Sequence, residues 1–268
     1  MKVELDGTEV HAATGGVELT GTEPTVLLIH GAGMDATVWQ LQTRYLAHHG
    51  YRPLAVDLPG HGLTPGPALA TIEELADWTA TFIEAVADRL DEATPIHVVG
   101  HSMGTFIALE LAARRGELVR SLVLLGTADA MPVHPELLSA AESDLPAAAA
   151  LMTSWSHDRP AHVGLNPTPG LWMLGGARAL VEGSEPGALA ADFGACAAYE
   201  GATTAAAKVT CPVSVAVGLG DKMTPPRAAA KLIAELTEPD VVELAGTGHM
   251  MMVENPRTIR ALLINALA

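Results

Sequence analysis

The sequence predicts an α/β protein, a mostly parallel β-sheet flanked by helices on both faces, and three observations carry that prediction. Short, continuously apolar runs such as TVLLI, HVV, SLVLL and VSVAV have the length of strands and lack a polar face, as expected of strands covered on both sides. Between them lie stretches whose apolar residues recur at helical spacing. Glycines follow the runs and mark the turns.

Taken in order, VEL and EVHAA read as two short strands joined through Gly7, which supplies backbone freedom for the turn. TVLLIH, from Thr25 to His30, is the first strongly buried strand and ends at Gly31. YRPLAVD, ending at Asp57, is the next extended piece. Between the two, TVWQLQTRYLAHHG sets Trp39, Leu41, Tyr45 and Leu46 at roughly helical intervals, with Gly50 as a stop signal. The strand, helix, strand unit then repeats. Thr71 is placed to cap a helix carrying Ile72, Leu75, Trp78, Phe82 and Val86; PIHVVG follows as a strand, GTFIALELAARRG as a helix and SLVLLG as a further strand. Right-handed crossovers are the expected connections.

From Thr127 to Ala207 the strand rhythm stops. Ala147 to Leu151 favours helix, while Pro132, Pro135, Pro146, Pro160, Pro167 and Pro169 divide the segment into short pieces. It reads as a mainly helical insertion packed over one edge of the sheet. The strand rhythm resumes with PVSVAVG, a helix around Ala228 to Leu236, DVVELAG and a last helix near Thr258 to Ala268. The expected organisation is therefore residues 1–126 as the first part of a core, 127–207 as an inserted cap, and 208–268 as the second part of the same core.

Composition narrows the function. In 268 residues, 49% are hydrophobic and 17% charged, enough apolar material for a core covered on both faces. The net charge of −16 disfavours a nucleic-acid partner and an anionic membrane, because both require a positive surface. Two cysteines, Cys196 and Cys211, make neither a disulfide framework nor a thiolate-rich metal cluster; packed thiols are expected, with a disulfide as the alternative. The N-terminal segment turns polar too early for a secretory signal, and no later stretch is persuasive as a bilayer span, so a soluble cytoplasmic protein without stable membrane insertion is expected. Nothing in the sequence sets an oligomeric state.

The sharpest local signal is Gly100-His101-Ser102-Met103-Gly104, which follows the apolar strand IHVV and precedes the helical TFIALEL. Strand, tight turn and helix are the setting in which a serine hydroxyl is presented as a nucleophile. Such a hydroxyl needs a base, and His249, in the late loop GTGH after the strand VVEL, is the candidate. His30, His61 and His101 read better as structural or pocket-lining residues. Asp221 leaves the end of VSVAVGLG and is the candidate for holding the imidazole; Asp129, just beyond SLVLL, is a rival that chain order leaves open. The loop His30-Gly31-Ala32-Gly33 offers the backbone amide of Ala32, and the amide of Met103 begins the helix after Ser102; together they are candidate oxyanion donors. His157, Asp158 and His162 cluster in sequence, but Pro160 interrupts them and no H-E-x-x-H pattern is present, so no metal or cofactor is expected.

These segments together resemble the α/β-hydrolase superfamily, in particular its lipase-like esterase and related small-molecule serine hydrolase branch. The resemblance runs through TVLLIHGAG (25–33), AVDLPGHG (55–62), VVGHSMG (98–104), VGLGD (217–221) and GTGHMMMVENP (246–256). It implies an α/β-hydrolase fold with Ser102 as nucleophile, Asp221 as acid, His249 as base and the Ala32 and Met103 amides as the oxyanion hole. The insertion corresponds to that family's variable cap. Serine at the elbow, where haloalkane dehalogenases and epoxide hydrolases carry aspartate, argues against those reactions. The expected reaction is hydrolysis of a carboxylic ester or lactone through an acyl-enzyme; thioester or carbon–carbon bond hydrolysis, and noncatalytic small-molecule binding on the same fold, are the alternatives. The apolar side chains of the insertion and its few basic groups, chiefly Arg159 and Arg178, point to a neutral, partly apolar substrate.

Overall fold

The structure, a computed structural model, describes residues 1–18, 22–90, 95–168 and 170–268; of the residues discussed above, Pro169 lies outside them. The apolar runs become the strands of one eight-stranded sheet: β1 (Lys2–Leu5), β2 (Thr8–Ala13), β3 (Thr25–Ile29), β4 (Arg52–Val56), β5 (Ile96–His101), β6 (Val119–Leu125), β7 (Val213–Gly218) and β8 (Asp240–Leu244). Their order is β1-β2-β4-β3-β5-β6-β7-β8. β1 and β2 form an antiparallel hairpin and β2 joins β4 antiparallel; every pairing from β4 through β8 is parallel. The hairpin turns through Asp6 and Gly7, both at positive φ (49° and 79°).

All residues of β3, β4, β5 and β7 are buried, which explains why their sequences lack alternation. Their side chains nevertheless alternate between two cores. Leu27, Ile29, Val98, Leu122, Leu124, Val215 and Val217 pack with α2 (Ile72–Leu90), α3 (Met103–Arg114) and α10 (Pro226–Glu235). Val26, Leu28, Val99, Val123, Leu125 and Ala216 pack with α1 (Gln40–Ala47), α11 (Met251–Glu254) and α12 (Pro256–Ala266).

Helix starts follow local chemistry. Thr71 Oγ1 accepts from the Glu74 amide at 3.1 Å, the capping bond expected of it, and Ile72, Leu75, Phe82 and Val86 are buried. In α1 the inward face differs from the expected one: Gln42, Thr43 and Leu46 are buried, whereas Leu41 and Tyr45 are half-buried. The polar pair is tolerated because Gln42 Nε2 donates to Met252 O (2.8 Å) and Thr43 Oγ1 to Trp39 O (3.1 Å).

Between β6 and β7 the described residues form six helices: α4 (Pro135–Ser143), α5 (Leu145–Ser156), α6 (Arg159–His162), α7 (Met173–Glu182), α8 (Ala188–Ala198) and α9 (Ala202–Ala206). This is the inserted helical cap. Its prolines begin helices as much as they break them: Pro135, Pro146 and Pro160 sit in the first turns of α4, α5 and α6, where a missing N–H costs nothing. The Asp144 carboxylate caps α5 through the Ala147 amide at 3.1 Å. Parts of α5 and α8 lie above the loops at the carboxyl ends of the strands, and there the candidate residues gather.

Candidate active site

Ser102 stands where β5 passes into α3, with φ 52° and ψ −120°. For a residue other than glycine such a conformation costs on the order of 1–3 kcal/mol and persists only where the surroundings enforce it. The enforcement is visible. A Cβ on Gly104 would press into the carbonyls of Ile29 and His30, and one on Gly100 into the Gly104 backbone, so only glycines let the turn lie this close to β3. The Ser102 amide donates to Leu125 O at 3.0 Å, tying the turn to β6. Its half-buried side chain lines a cavity of about 360 Å³ walled mainly by Met131, Val133, Leu137, Trp155 and Phe193, with His134, Lys222 and Thr224 among its polar members.

The loops after β7 and β8 bring Asp221 and His249 together: Asp221 Oδ2 is 2.8 Å from His249 Nδ1. Both residues are buried. Asp221 Oδ1 accepts from the amides of Met223 and Thr224, each at 2.8 Å, and Thr224 Oγ1 donates to Oδ2 at 2.8 Å. Burial by itself raises the Asp221 pKa; the His249 charge and hydrogen bond, with the Thr224 donors, outweigh it and hold the carboxyl below its ordinary value. Asp129, the rival, instead docks its amide on Ala228 O (2.7 Å).

The His249 backbone is clamped from two directions. Its amide donates to Ser156 O of the cap at 2.7 Å. The preceding Gly248 amide donates to Glu254 Oε1 at 3.0 Å, while Glu254 Oε2 accepts from the Asp158 amide of the cap at 2.8 Å. His101, next to Ser102, reaches the same loop, with Nε2 3.0 Å from His249 O and ring centroids 4.7 Å apart. Burial, then the His249 charge, lowers the His101 pKa to about 3, so the ring is neutral and Nε2–H is the donor. Gly126 approaches the imidazole so closely that a Cβ there would lie 3.0 Å from Nδ1. Ser102 and His249 thus flank the end of β6, one bonded to Leu125 and the other packed on Gly126. Among the described residues no hydrogen bond joins Ser102 Oγ to the ring, a contact that often tightens only with substrate bound.

Ala32 is buried and lines the same cavity as Ser102; Met103 is buried at the first position of α3. Among the described residues no backbone acceptor engages either amide. His30 is structural, accepting from the Leu58 amide at Nε2 (3.2 Å) and facing Gly31 O with Nδ1 (2.9 Å). His157, Asp158 and His162 each take separate protein partners: His157 Nδ1 lies 3.1 Å from Thr153 O, the Asp158 amide binds Glu254, and His162 Nε2 lies 3.2 Å from His157 O. Cys196 and Cys211 are unpaired thiols whose pKa values burial pushes up.

Sequence reasoning missed Thr224, Gly126, Glu254 and Lys222. Thr224 had a signal, since a threonine three residues after a loop aspartate is placed to hydrogen-bond it. Gly126 and Glu254 had none, because their partners come from other loops. Of the insertion's apolar residues, Leu137 and Trp155 line the cavity; Met152 and Met173 are buried in the packing, and Leu165 and Trp172 are exposed.

A mostly parallel sheet flanked by helices, with a strained serine after β5 and an Asp–His pair on the loops after β7 and β8, defines a class of α/β hydrolytic scaffold. The chain belongs to the alpha/beta hydrolase family, whose pattern matches residues 26–262. It is 31% identical over 260 residues to a pimeloyl-(acyl-carrier protein) methyl ester esterase of Aromatoleum aromaticum, covering 90% of this chain and 96% of that one. It is 35% identical over 104 residues to an (E)-2-((N-methylformamido)methylene)succinate hydrolase of Acinetobacter baylyi, a match covering 38% of this chain and 37% of the relative. In fold it resembles the crystal structure of the enol-lactonase from Burkholderia xenovorans LB400, with a TM-score of 0.86 at 21% identity over 100% of this chain and 99% of that one. Among the described residues no helix is long and apolar enough to cross a membrane.

Proposed function

We propose that this protein is a serine hydrolase that cleaves a carboxylic ester or lactone through an acyl-enzyme. The observation that carries the reading is the strained Ser102 on the wall of an apolar cavity, beside a loop whose histidine is already paired with a buried aspartate. His249 takes the Ser102 proton as Oγ attacks the substrate carbonyl, and Asp221 stabilises the resulting imidazolium. The amides of Ala32 and Met103 stabilise the oxyanion. The tetrahedral intermediate collapses as His249 returns the proton to the departing alcohol oxygen; a water activated by His249 then releases the acid and regenerates Ser102. For a lactone both products are parts of one molecule.

The cavity walls favour a neutral, partly apolar acyl or alcohol group. The ester and lactone substrates in the names of the relatives support the same bond type. Two unpaired thiols and an acidic surface agree with a cytoplasmic protein that binds no nucleic acid. The test is turnover of a short-chain aryl ester together with labelling by a fluorophosphonate. Ser102→Ala is expected to abolish both while the circular dichroism and melting profile stay those of the parent; ordinary turnover by that folded variant overturns the reading.

A further inference from the structure

Three segments far apart in the chain meet at one oxygen atom. Asp192, in α8 of the cap, is fully buried; its Oδ2 accepts from the Gly33 amide at 2.8 Å and lies 2.9 Å from His61 Nε2. Gly33 belongs to the loop after β3 that carries Ala32, and His61 to the loop after β4. Its other oxygen, Oδ1, is buried without a hydrogen-bond partner among the described residues. A carboxylate in that position requires a counter-charge.

The geometry of His61 supplies it. Nδ1 lies 3.0 Å from Pro59 O while Nε2 faces the carboxylate. Both neighbours are acceptors, and a ring that donates to both carries two protons. Burial lowers the His61 pKa, but the hydrogen bond and charge of Asp192, with the Pro59 carbonyl, outweigh it and raise the value above the ordinary 6.5. Of the groups around this pair, the Asp57 charge also raises the His61 pKa. His30, with its ring centroid 5.0 Å from that of His61, is held neutral by burial and then by the His61 charge, its pKa lowered to about 4. The Asp57 carboxylate is taken up by the amides of Ala36 and Leu63 and by His11, and Cys196 beside Asp192 is a buried thiol.

The cap helix also touches the loop sterically. Gly33 has φ 63°, and a Cβ on it would lie 2.6 Å from Leu189 Cδ1, one turn before Asp192 in α8. Phe193 and Cys196 of the same helix line the cavity alongside Ala32 and Ser102.

We infer that Asp192 is a positioning residue, a carboxylate of the cap that holds the Gly31–Gly33 loop, and with it the Ala32 amide, in register with Ser102, with His61 as its counterion. This rests on the oxyanion role given to Ala32 above. The cap therefore shapes the cavity and also braces the catalytic loop, and His61 has a task that its place in AVDLPGHG does not reveal. The brace depends on pH: neutral His61 keeps one ring proton, so it no longer donates to both Pro59 O and Asp192 and no longer balances the carboxylate charge; the stabilisation is complete below the ordinary histidine range and is lost as pH rises through the raised pKa.

The experiment compares wild type, Asp192→Asn and Asp192→Ala by steady-state kinetics on the aryl ester and by nuclear magnetic resonance of 15N-labelled protein. In wild type at neutral pH, His61 is expected to show both ring nitrogens protonated; in Asp192→Asn the ring becomes neutral and the Gly33 amide resonance moves. In Asp192→Ala, kcat is expected to fall by up to about 10²-fold with KM little changed, the signature of a lost transition-state contact. Asp192→Asn, which keeps an acceptor for Gly33, loses less. A folded Asp192→Asn with parental kcat and an unmoved Gly33 amide overturns the inference, as does a change confined to KM. If neither variant folds, the wild-type titration decides: the Gly33 resonance must follow His61 ionisation, and independence of the two overturns the inference. Absence of Ser102-dependent turnover in wild type defeats the serine-hydrolase reading, while the resonance measurements still decide whether Asp192 holds the loop.

Discussion

At the scale of single residues, the choice between two carboxylates illustrates how position decides role. Asp221 and Asp129 both follow core strands, but the one that reaches His249 is Asp221, with four hydrogen-bond contacts converging on its two oxygens. Three of these come from within its own turn and the fourth from His249, and they orient the carboxylate before any substrate arrives. Asp221→Asn is expected to lower the acylation rate by on the order of 10⁴-fold, because a neutral amide neither selects the useful tautomer nor stabilises the imidazolium. Asp129→Asn is expected to retain most activity. Pre-steady-state acylation of both folded variants checks the assignment, and the reverse ranking would transfer the role to Asp129.

At the scale of elements, the loops are held by contacts that cross between core and cap. Glu254, at the end of α11, accepts one amide from the His249 loop and one from the cap, in a site where burial raises its pKa from 4.5 to about 7 against the pull of those two donors. A carboxyl with a raised pKa binds its proton more tightly in the folded chain than in the unfolded one. It therefore adds stability as pH falls from about 7 toward 4.5 and removes it as pH rises. Buried neutral histidines act in the opposite sense in the same range: His30 and His157, with pKa values lowered to about 4, cost stability as pH falls below 6.5. The two effects separate by difference. Glu254→Gln, which keeps one acceptor and cannot ionise, is expected to gain on wild type in melting temperature as pH rises from 4.5 to 7; a constant difference across that range would show that Glu254 does not titrate there.

At the scale of the whole molecule, core and cap meet around one cavity. The cavity beside Ser102 has a wall from the core, chiefly Ala32 and Met223, and a wall from the insertion, chiefly Leu137, Trp155 and Phe193. Its aromatic and aliphatic surface gives a neutral acyl or alcohol chain a favourable transfer of about 25 cal/mol per Å² covered. A lone exposed Lys222 and the exposed His134 provide little for a multiply charged substrate. Across esters, lactones, thioesters and carbon–carbon bond substrates matched for size, the Ser102-dependent kcat/KM is expected to be highest for neutral esters or lactones. A consistent preference for multiply charged substrates over neutral isosteres contradicts the apolar cavity as the source of specificity.

The strands, the mostly parallel sheet and the tight turn at Ser102 were legible because they follow from local rules: an apolar run of strand length needs cover on both faces, and a glycine-flanked serine between strand and helix has few conformations available. The helical character of the insertion was legible for the same reason. The inward face of α1 was not, because Gln42 and Thr43 are buried only where carbonyls from Met252 and Trp39 meet them. The sequence by itself determined the fold class and nominated Ser102, His249, Asp221, Ala32 and Met103. Only the tertiary structure put Asp221, and not Asp129, against His249, left the two cysteines unpaired, and brought Asp192, His61 and Gly33 to one oxygen. The two hydrogen-bonded arrangements join residues 28 to 159 positions apart, set by how loops and cap settle on the sheet, and no local pattern encodes them.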